Sequence, residues 1–218
     1  MINYHKKVAA IVPAFNEEAN ISNVLKILLA SKYLNDVILV DDGSTDKTAE
    51  IGKSLGVKVL KILGNKGKGN AMKQGLRATK AGIIAFFDAD LIGLTENHIF
   101  SLIEPVLKDE ADMCVGIRGR LMDLPELIAK IDPLLAIGGE RCIRRNLLED
   151  IPEKFIQNFA VETSLNYYCI KNGLKIKYVN LPNLSIISKE KKWGFRKGFI
   201  IRIKMIWQII KIRIKKFK

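Results

Sequence analysis

Asp88 and Asp90 close the stretch Ile83-Ile84-Ala85-Phe86-Phe87-Asp88-Ala89-Asp90, and their types and spacing suggest chemistry. Side chains two apart on a strand point the same way, so both carboxylates would project together from the end of an apolar strand. Ionised carboxylates are costly in an apolar core, which favours a strand mouth beside a ligand or metal. Two hard oxygen donors suit Mg²⁺ or Mn²⁺, and such ions suit a diphosphate. An Asp-x-Asp pair alone is a weak motif, and capping of the following loop is its ordinary explanation. Three other loops add to it: Asn16-Glu17-Glu18, Asp41-Asp42-Gly43-Ser44 and Gly67-Lys68-Gly69. The last is neither a Walker A loop nor a Gly-x-Gly-x-x-Gly fingerprint, which disfavours an ordinary NTPase and a dinucleotide dehydrogenase.

The elements around these loops alternate. Val8–Pro13, Val37–Val40, Val57–Ile62 and Ile83–Phe87 read as short strands, the first closed by its proline. Between them lie helical patterns from about Glu18 to Ser31, from Ser44 or Asp46 through Gly52, and from the Gly67 loop through Lys80. Ile21, Val24, Leu25, Leu28 and Leu29 form the apolar stripe of the first, with Asn16 as its expected N-cap. Such alternation predicts βαβ units, a parallel sheet and right-handed crossovers. A parallel sheet brings its carboxyl-end loops to one edge, where a nucleotide could lie across them.

The second half is less regular. Thr95 to Leu107 and Val161 to Ile170 predict helices, and Met113–Gly116 and Lys175–Val179 predict strands. Leu121 to Gly139 is mixed apolar and broken by Pro125 and Pro133, and Gly138-Gly139-Glu140-Arg141 reads as a tight loop opening a helix.

The chain has 218 residues and a net charge of +13, unevenly spread. Residues 189–218 hold 12 Lys/Arg and one Glu, so the body is nearly neutral. We divide the chain into an α/β domain, 1–188, and a basic tail, 189–218. From Phe199 the tail carries apolar residues at helical spacing between Lys/Arg strips, an amphipathic helix with Trp207. That composition suits an anionic membrane surface, with packing on the body or in a homodimer as the plainer explanation. Nucleic acid is disfavoured, for no recognised fold and little aromatic interleaving accompany the charge. The three cysteines, Cys114, Cys142 and Cys169, are widely spaced and odd in number, which predicts reduced thiols and a cytoplasmic setting. The two histidines, His5 and His98, do not pair with a cysteine at metal-ligand spacing, which disfavours zinc. No apolar run reaches 18 residues, so no transmembrane helix is expected, and Val8 to Phe15 reads as a strand rather than a signal peptide.

As a set, Val12-Pro13-Ala14-Phe15-Asn16-Glu17-Glu18, Val40-Asp41-Asp42-Gly43-Ser44-Thr45-Asp46, Gly67-Lys68-Gly69 and Asp88-Ala89-Asp90 resemble the family 2 glycosyltransferases of GT-A fold. The resemblance covers at least residues 8–120 and lies nearest dolichyl-phosphate mannosyltransferase-like and glucosyl-3-phosphoglycerate synthase-like members. It implies an α/β, Rossmann-like, mostly parallel sheet flanked by helices. It also implies that Pro13, Phe15, Glu17 and Asp42 surround the base and ribose of a UDP- or GDP-linked sugar. Asp88, Ala89 and Asp90 would bracket the ribose and a Mg²⁺ or Mn²⁺ ion. Lys68 and Arg118 would help neutralise phosphate charge, Gly139 and Arg141 would lie on the acceptor side, and Glu162 is a candidate general base. Two departures stand out. Some members carry a Gln two positions after the second aspartate, where this chain has Ile92, and others use a late histidine, whereas none follows His98.

The expectation is therefore a metal-dependent transferase of a sugar from a nucleoside diphosphate, with a polyprenyl phosphate at the cytosolic membrane face as favoured acceptor. The alternatives are a soluble transferase to a small phosphorylated acid such as 3-phosphoglycerate, and a nucleotide-sugar-binding scaffold without turnover.

Overall fold

The computed structural model describes residues 7–118, 139–151 and 161–187. The mixed apolar stretch after Arg118 and the basic tail expected to form a helix lie outside the described residues. The elements run β1 (Val8–Ala14), α1 (Ile21–Ala30), β2 (Asp36–Asp41), α2 (Thr48–Ser54), β3 (Lys58–Lys61), α3 (Lys68–Arg77) and β4 (Ile83–Phe86). There follow β5 (Leu91–Ile92), α4 (Glu96–Leu107), β6 (Met113–Arg118), β7 (Arg141–Arg144), α5 (Arg145–Asp150), α6 (Val161–Lys171), β8 (Ile176–Leu181) and β9 (Ser185–Ile186).

Seven strands form one sheet in the order β3-β2-β1-β4-β7-β6-β8. The β1–β2, β2–β3, β1–β4 and β6–β8 pairs are parallel, and β7 is antiparallel to both β4 and β6. The first half thus has the predicted alternating, parallel arrangement. Near-continuous apolar runs such as Val8-Ala9-Ala10-Ile11-Val12 are what a sheet covered on both faces requires. Alternate residues feed two cores. Val8, Ala10, Val12, Leu39, Ile83 and Ala85 pack with α1 and α4, whereas Ala9, Ile11, Val40, Ile84 and Phe86 pack with α3 and α6. Leu29, expected in the buried stripe of α1, is 44% exposed, while Ile21, Val24, Leu25 and Leu28 are buried.

Two sequence expectations are corrected and one open choice is resolved. The helix after β1 begins at Ile21, and Asn16 is not its cap. Asn16 instead takes a left-handed conformation at φ 54 and accepts from the Thr45 amide (2.9 Å) through its side chain. Such a short polar side chain tolerates that region because it can bond locally. Of the two candidates for the start of α2, Asp46 bonds the Thr48 amide (3.0 Å), while the Ser44 hydroxyl accepts from the Asn16 amide (2.9 Å). Lastly, the Gly-Gly-Glu-Arg loop opens a strand, β7, with α5 following it. The charged ends of Arg141-Cys142-Ile143-Arg144 hid the strand, although Arg141 itself is fully buried.

Leu91–Ile92 pairs with Ser185–Ile186 as a separate two-stranded ribbon beside Asp90. No helix among the described residues is long and apolar enough to cross a membrane. The three cysteines are free and buried, as expected of reduced thiols.

Candidate active site

The loops after β1 and β2 are knitted together before any ligand is considered. The Glu17 amide donates to Thr48 Oγ1 (2.8 Å), the Glu18 amide to Asp46 Oδ2 (3.0 Å), and the Lys47 amide to Glu18 Oε2 (3.0 Å). Glu17 is 8% exposed and accepts from the Asn20 side chain at 3.3 Å. Pro13 stands in β1 opposite Val40, and Phe15 follows the strand half-buried, so both lie at this edge. Asp42 is 4% exposed and points at the glycine-rich loop, where its two oxygens accept from the Lys66 amide (3.0 Å) and the Gly67 amide (2.7 Å). Gly67 has φ 91, a left-handed value that a side chain would strain, and it delivers Lys68 as the first residue of α3.

The antiparallel strand explains the rest of the site. Between β4 and β6, which present their carboxyl ends to this edge, β7 presents its amino end. The pairing of Phe86 with Arg141, continued two residues, sets Gly139 opposite Asp88. Residues of α3, β6, β7 and α6 therefore meet at the loop that follows β4. Lys68 Nζ lies 2.6 Å from Asp88 Oδ1 and 2.6 Å from Glu162 Oε1. Arg118, the last residue of β6, reaches Asp88 Oδ2 at 3.4 Å and Glu140 Oε2 at 3.2 Å. Arg141 donates to the Glu162 carbonyl (3.1 Å) and to Asn166 Oδ1 (3.3 Å). Lys68, Asp88, Arg118, Gly139, Arg141 and Glu162, all singled out from sequence, form one cluster. Pro13, Phe15, Glu17 and Asp42 lie on the neighbouring loops of the same edge. Ala89 is buried in the core, and Asp90 lies beyond it before the ribbon.

Sequence reasoning missed Glu140 and Asn166. Glu140 is fully buried, and its Oε2, though beside Arg118, has no hydrogen bond of good geometry. A carboxylate directly after a glycine pair at a strand start was the available signal.

The charges respond to one another. Burial alone would raise Asp88, but Lys68, Arg118 and Arg141 outweigh it and hold its carboxyl below the ordinary range. Burial would likewise lower Lys68, yet Asp88 and Glu162 raise it, so the ammonium stays charged. Glu162 is held down by Lys68 and Arg141 against the effect of burial. Asp90 is raised by burial and then by Asp88, and Glu140 is pushed up to about 7 by burial and by Asp88. Among the described residues no group of three or more His, Cys, Asp or Glu could by itself hold a metal. The mouth offers two carboxylates, and a cation there would relieve the repulsion that raises Asp90. The donor set thus fits a divalent ion whose remaining ligands come from diphosphate oxygens and water.

Comparisons with known proteins bear on the family and the fold. An uncharacterised protein of Methanocaldococcus jannaschii is 40% identical over 127 residues, 56% of this chain and 49% of that one. The 4,4'-diaponeurosporenoate glycosyltransferase of Staphylococcus aureus is 36% identical over 104 residues, 45% of this chain and 28% of the enzyme. These matches thus span about half or less of the curated relatives. Glucosyl-3-phosphoglycerate synthase from Mycobacterium tuberculosis, in complex with Mn²⁺, UDP-glucose and phosphoglyceric acid, superposes with a TM-score of 0.75. That match has 25% identity and covers 94% of this chain and 80% of that one. The complex with Mg²⁺ and UDP gives 0.73 at 26% identity, over 86% and 74%. Residues 9–162 match the family model described as glycosyl transferase family 2, and the chain belongs to that family.

Proposed function

We propose that this chain is a metal-assisted glycosyltransferase that moves a sugar from a nucleoside-diphosphate sugar, UDP-linked in the favoured version, to an acceptor. The observation that carries it is the convergence of Asp88, Lys68, Arg118 and Glu162 at the edge that also bears the Glu17 and Asp42 loops. The choice of UDP is supported by the mycobacterial structures, which hold it with Mn²⁺ or Mg²⁺. Asp90 and Asp88 would hold the Mg²⁺ or Mn²⁺ ion, which when bound neutralises charge on the departing diphosphate. Pro13, Phe15, Glu17 and Asp42 border the base and ribose. Lys68 and Arg118 supply the remaining positive charge to the phosphates, and Gly139 and Arg141 shape the acceptor side.

Glu162 bears on the acceptor. Paired with Lys68 and held at a lowered pKa, it is a weak base. A phosphate acceptor, already anionic, needs no deprotonation. This favours a polyprenyl phosphate, brought to the enzyme by the basic tail at an anionic membrane surface. The second acceptor reading, a small phosphorylated acid such as 3-phosphoglycerate with the tail serving a homodimer, is supported by the likeness to glucosyl-3-phosphoglycerate synthase. Ile92, in place of a further polar ligand, motivates a nucleotide-sugar-binding scaffold without turnover.

A thermal-shift panel of UDP, GDP, CDP, TDP and ADP with and without Mn²⁺ tests the donor site, since a ligand that binds only the folded state raises Tm. A Mn²⁺-dependent rise with UDP, lost in Asp90→Asn, is the expected result, and a flat panel overturns the reading. Transfer of labelled sugar to polyprenyl phosphate or to 3-phosphoglycerate then separates the acceptors, and binding with no transfer to either favours the scaffold.

A further inference from the structure

Asp88, one of the two carboxylates of the proposed metal site, already carries two cations. Lys68 sits on Oδ1 at 2.6 Å and Arg118 on Oδ2 at 3.4 Å. Gly139 closes the Oδ2 side so tightly that even a Cβ there would lie 2.1 Å from that oxygen. A divalent ion beside Asp88 would face the ammonium across one carboxylate, and like charges at that range repel strongly. Lys68 has a second place to go. Its Nζ is equally close to Glu162, and its side chain keeps 27% exposure, so it can leave Asp88 without losing its only partner. The backbone from which it pivots is fixed, because Asp42 holds the amides of Lys66 and Gly67.

We propose that Lys68 is a built-in counter-ion that competes with the divalent ion for Asp88 and is drawn off by the donor's diphosphate with Glu162 as its resting partner. This rests on the glycosyltransferase reading and adds an order to it. Metal alone binds weakly; a nucleoside diphosphate, by taking up Lys68, tightens it; and by linkage the metal tightens the diphosphate by the same factor.

The test reads Mn²⁺ affinity directly, by the electron paramagnetic resonance signal of free Mn²⁺, in the full chain without nucleotide and then with UDP. Lys68→Met is expected to bind Mn²⁺ alone about tenfold tighter than wild type, the scale of one partly buried charge-assisted contact. The enhancement by UDP shrinks by the same factor. Lys66→Met removes an equal charge from an exposed side chain two residues away and leaves Mn²⁺ affinity within about twofold, which separates direct competition from a general field. Glu162→Gln, which leaves Lys68 only Asp88 to pair with, weakens Mn²⁺ several-fold and decides the matter should Lys68→Met not fold. Equal or weaker Mn²⁺ binding by Lys68→Met, a gain of the same size in Lys66→Met, or unchanged binding by Glu162→Gln overturns the proposal. Failure of the glycosyltransferase reading shows separately, as the absence of any Mn²⁺-dependent UDP binding by wild type.

Discussion

Gly139 stands across the β4–β7 pairing from Asp88, and a Cβ at position 139 would fall 2.1 Å from Asp88 Oδ2. The carboxylate cannot retreat easily, because Lys68 and Arg118 hold its two oxygens. Gly139→Ala should therefore lower stability by about 1–3 kcal/mol, the usual cost of overpacking. It should also abolish the Mn²⁺-dependent rise in Tm with UDP. Urea unfolding and thermal shift check the two parts, and an alanine variant with wild-type behaviour in both would refute this account of the site.

Glu140 gives the protein a pH dependence with a definite sign. Its pKa is about 7 in the folded protein against an ordinary 4.5, so between those values the folded state holds the extra proton. The associated stability is fully present below about 4.5 and is lost as pH rises through about 7, amounting to at most about 3 kcal/mol. Glu140→Gln cannot titrate. Urea midpoints from pH 5 to 8 should show wild type losing ground relative to the variant as pH rises, and parallel profiles would contradict the assignment.

Gly75 lets α3 press against the sheet. A Cβ there would lie 2.4 Å from Ile11 Cγ2, in the middle of β1. Alanine is the better helix former by about 1 kcal/mol, but overpacking of a buried contact costs about 1–3 kcal/mol. We expect Gly75→Ala to be net destabilising in urea melts and to disturb Lys68, which the same helix carries. A stabilised variant would mean that β1 yields more easily than its burial implies.

Asp42 is both a nucleotide-side residue and the clasp of the glycine-rich loop. Asp42→Ala removes the acceptor for the Lys66 and Gly67 amides, at a cost of about 1–3 kcal/mol. Hydrogen exchange at those two amides should accelerate, and UDP affinity should fall. Asp42→Asn keeps one carbonyl acceptor and should lie between the two. Unchanged exchange in Asp42→Ala would show that the loop is held elsewhere.

Much of this arrangement was legible in the sequence. The apolar runs, their spacing and the acidic or glycine-rich loops after them sufficed for the parallel half of the sheet and for Asp88 and Lys68, whereas Arg118, Gly139, Arg141 and Glu162 followed only from the family resemblance. What was hidden follows from local physics. Arg141, expected in an acceptor-side loop, is instead fully buried, where the Glu162 carbonyl and Asn166 accept its guanidinium hydrogens. No short-range pattern announces partners more than 20 residues away, so β7 was read as the entrance to a helix. The ribbon of β5 and β9 has two residues on each side, too few for any periodicity. The role of Asp42 as acceptor for the Lys66 and Gly67 amides was hidden because those loop partners are set by tertiary approach, not by spacing.

That ribbon fixes the origin of everything that follows it in the chain. Ile186 is paired across from Leu91, the residue after Asp90, and the basic stretch opens at Lys189, three residues further on. Three residues span at most about 10 Å. Any anionic surface or molecule gripped by Lys189 would therefore be held on a leash of about that length of backbone, anchored at the rim of the mouth. Its local concentration there is set by the tether and not by the bulk solution.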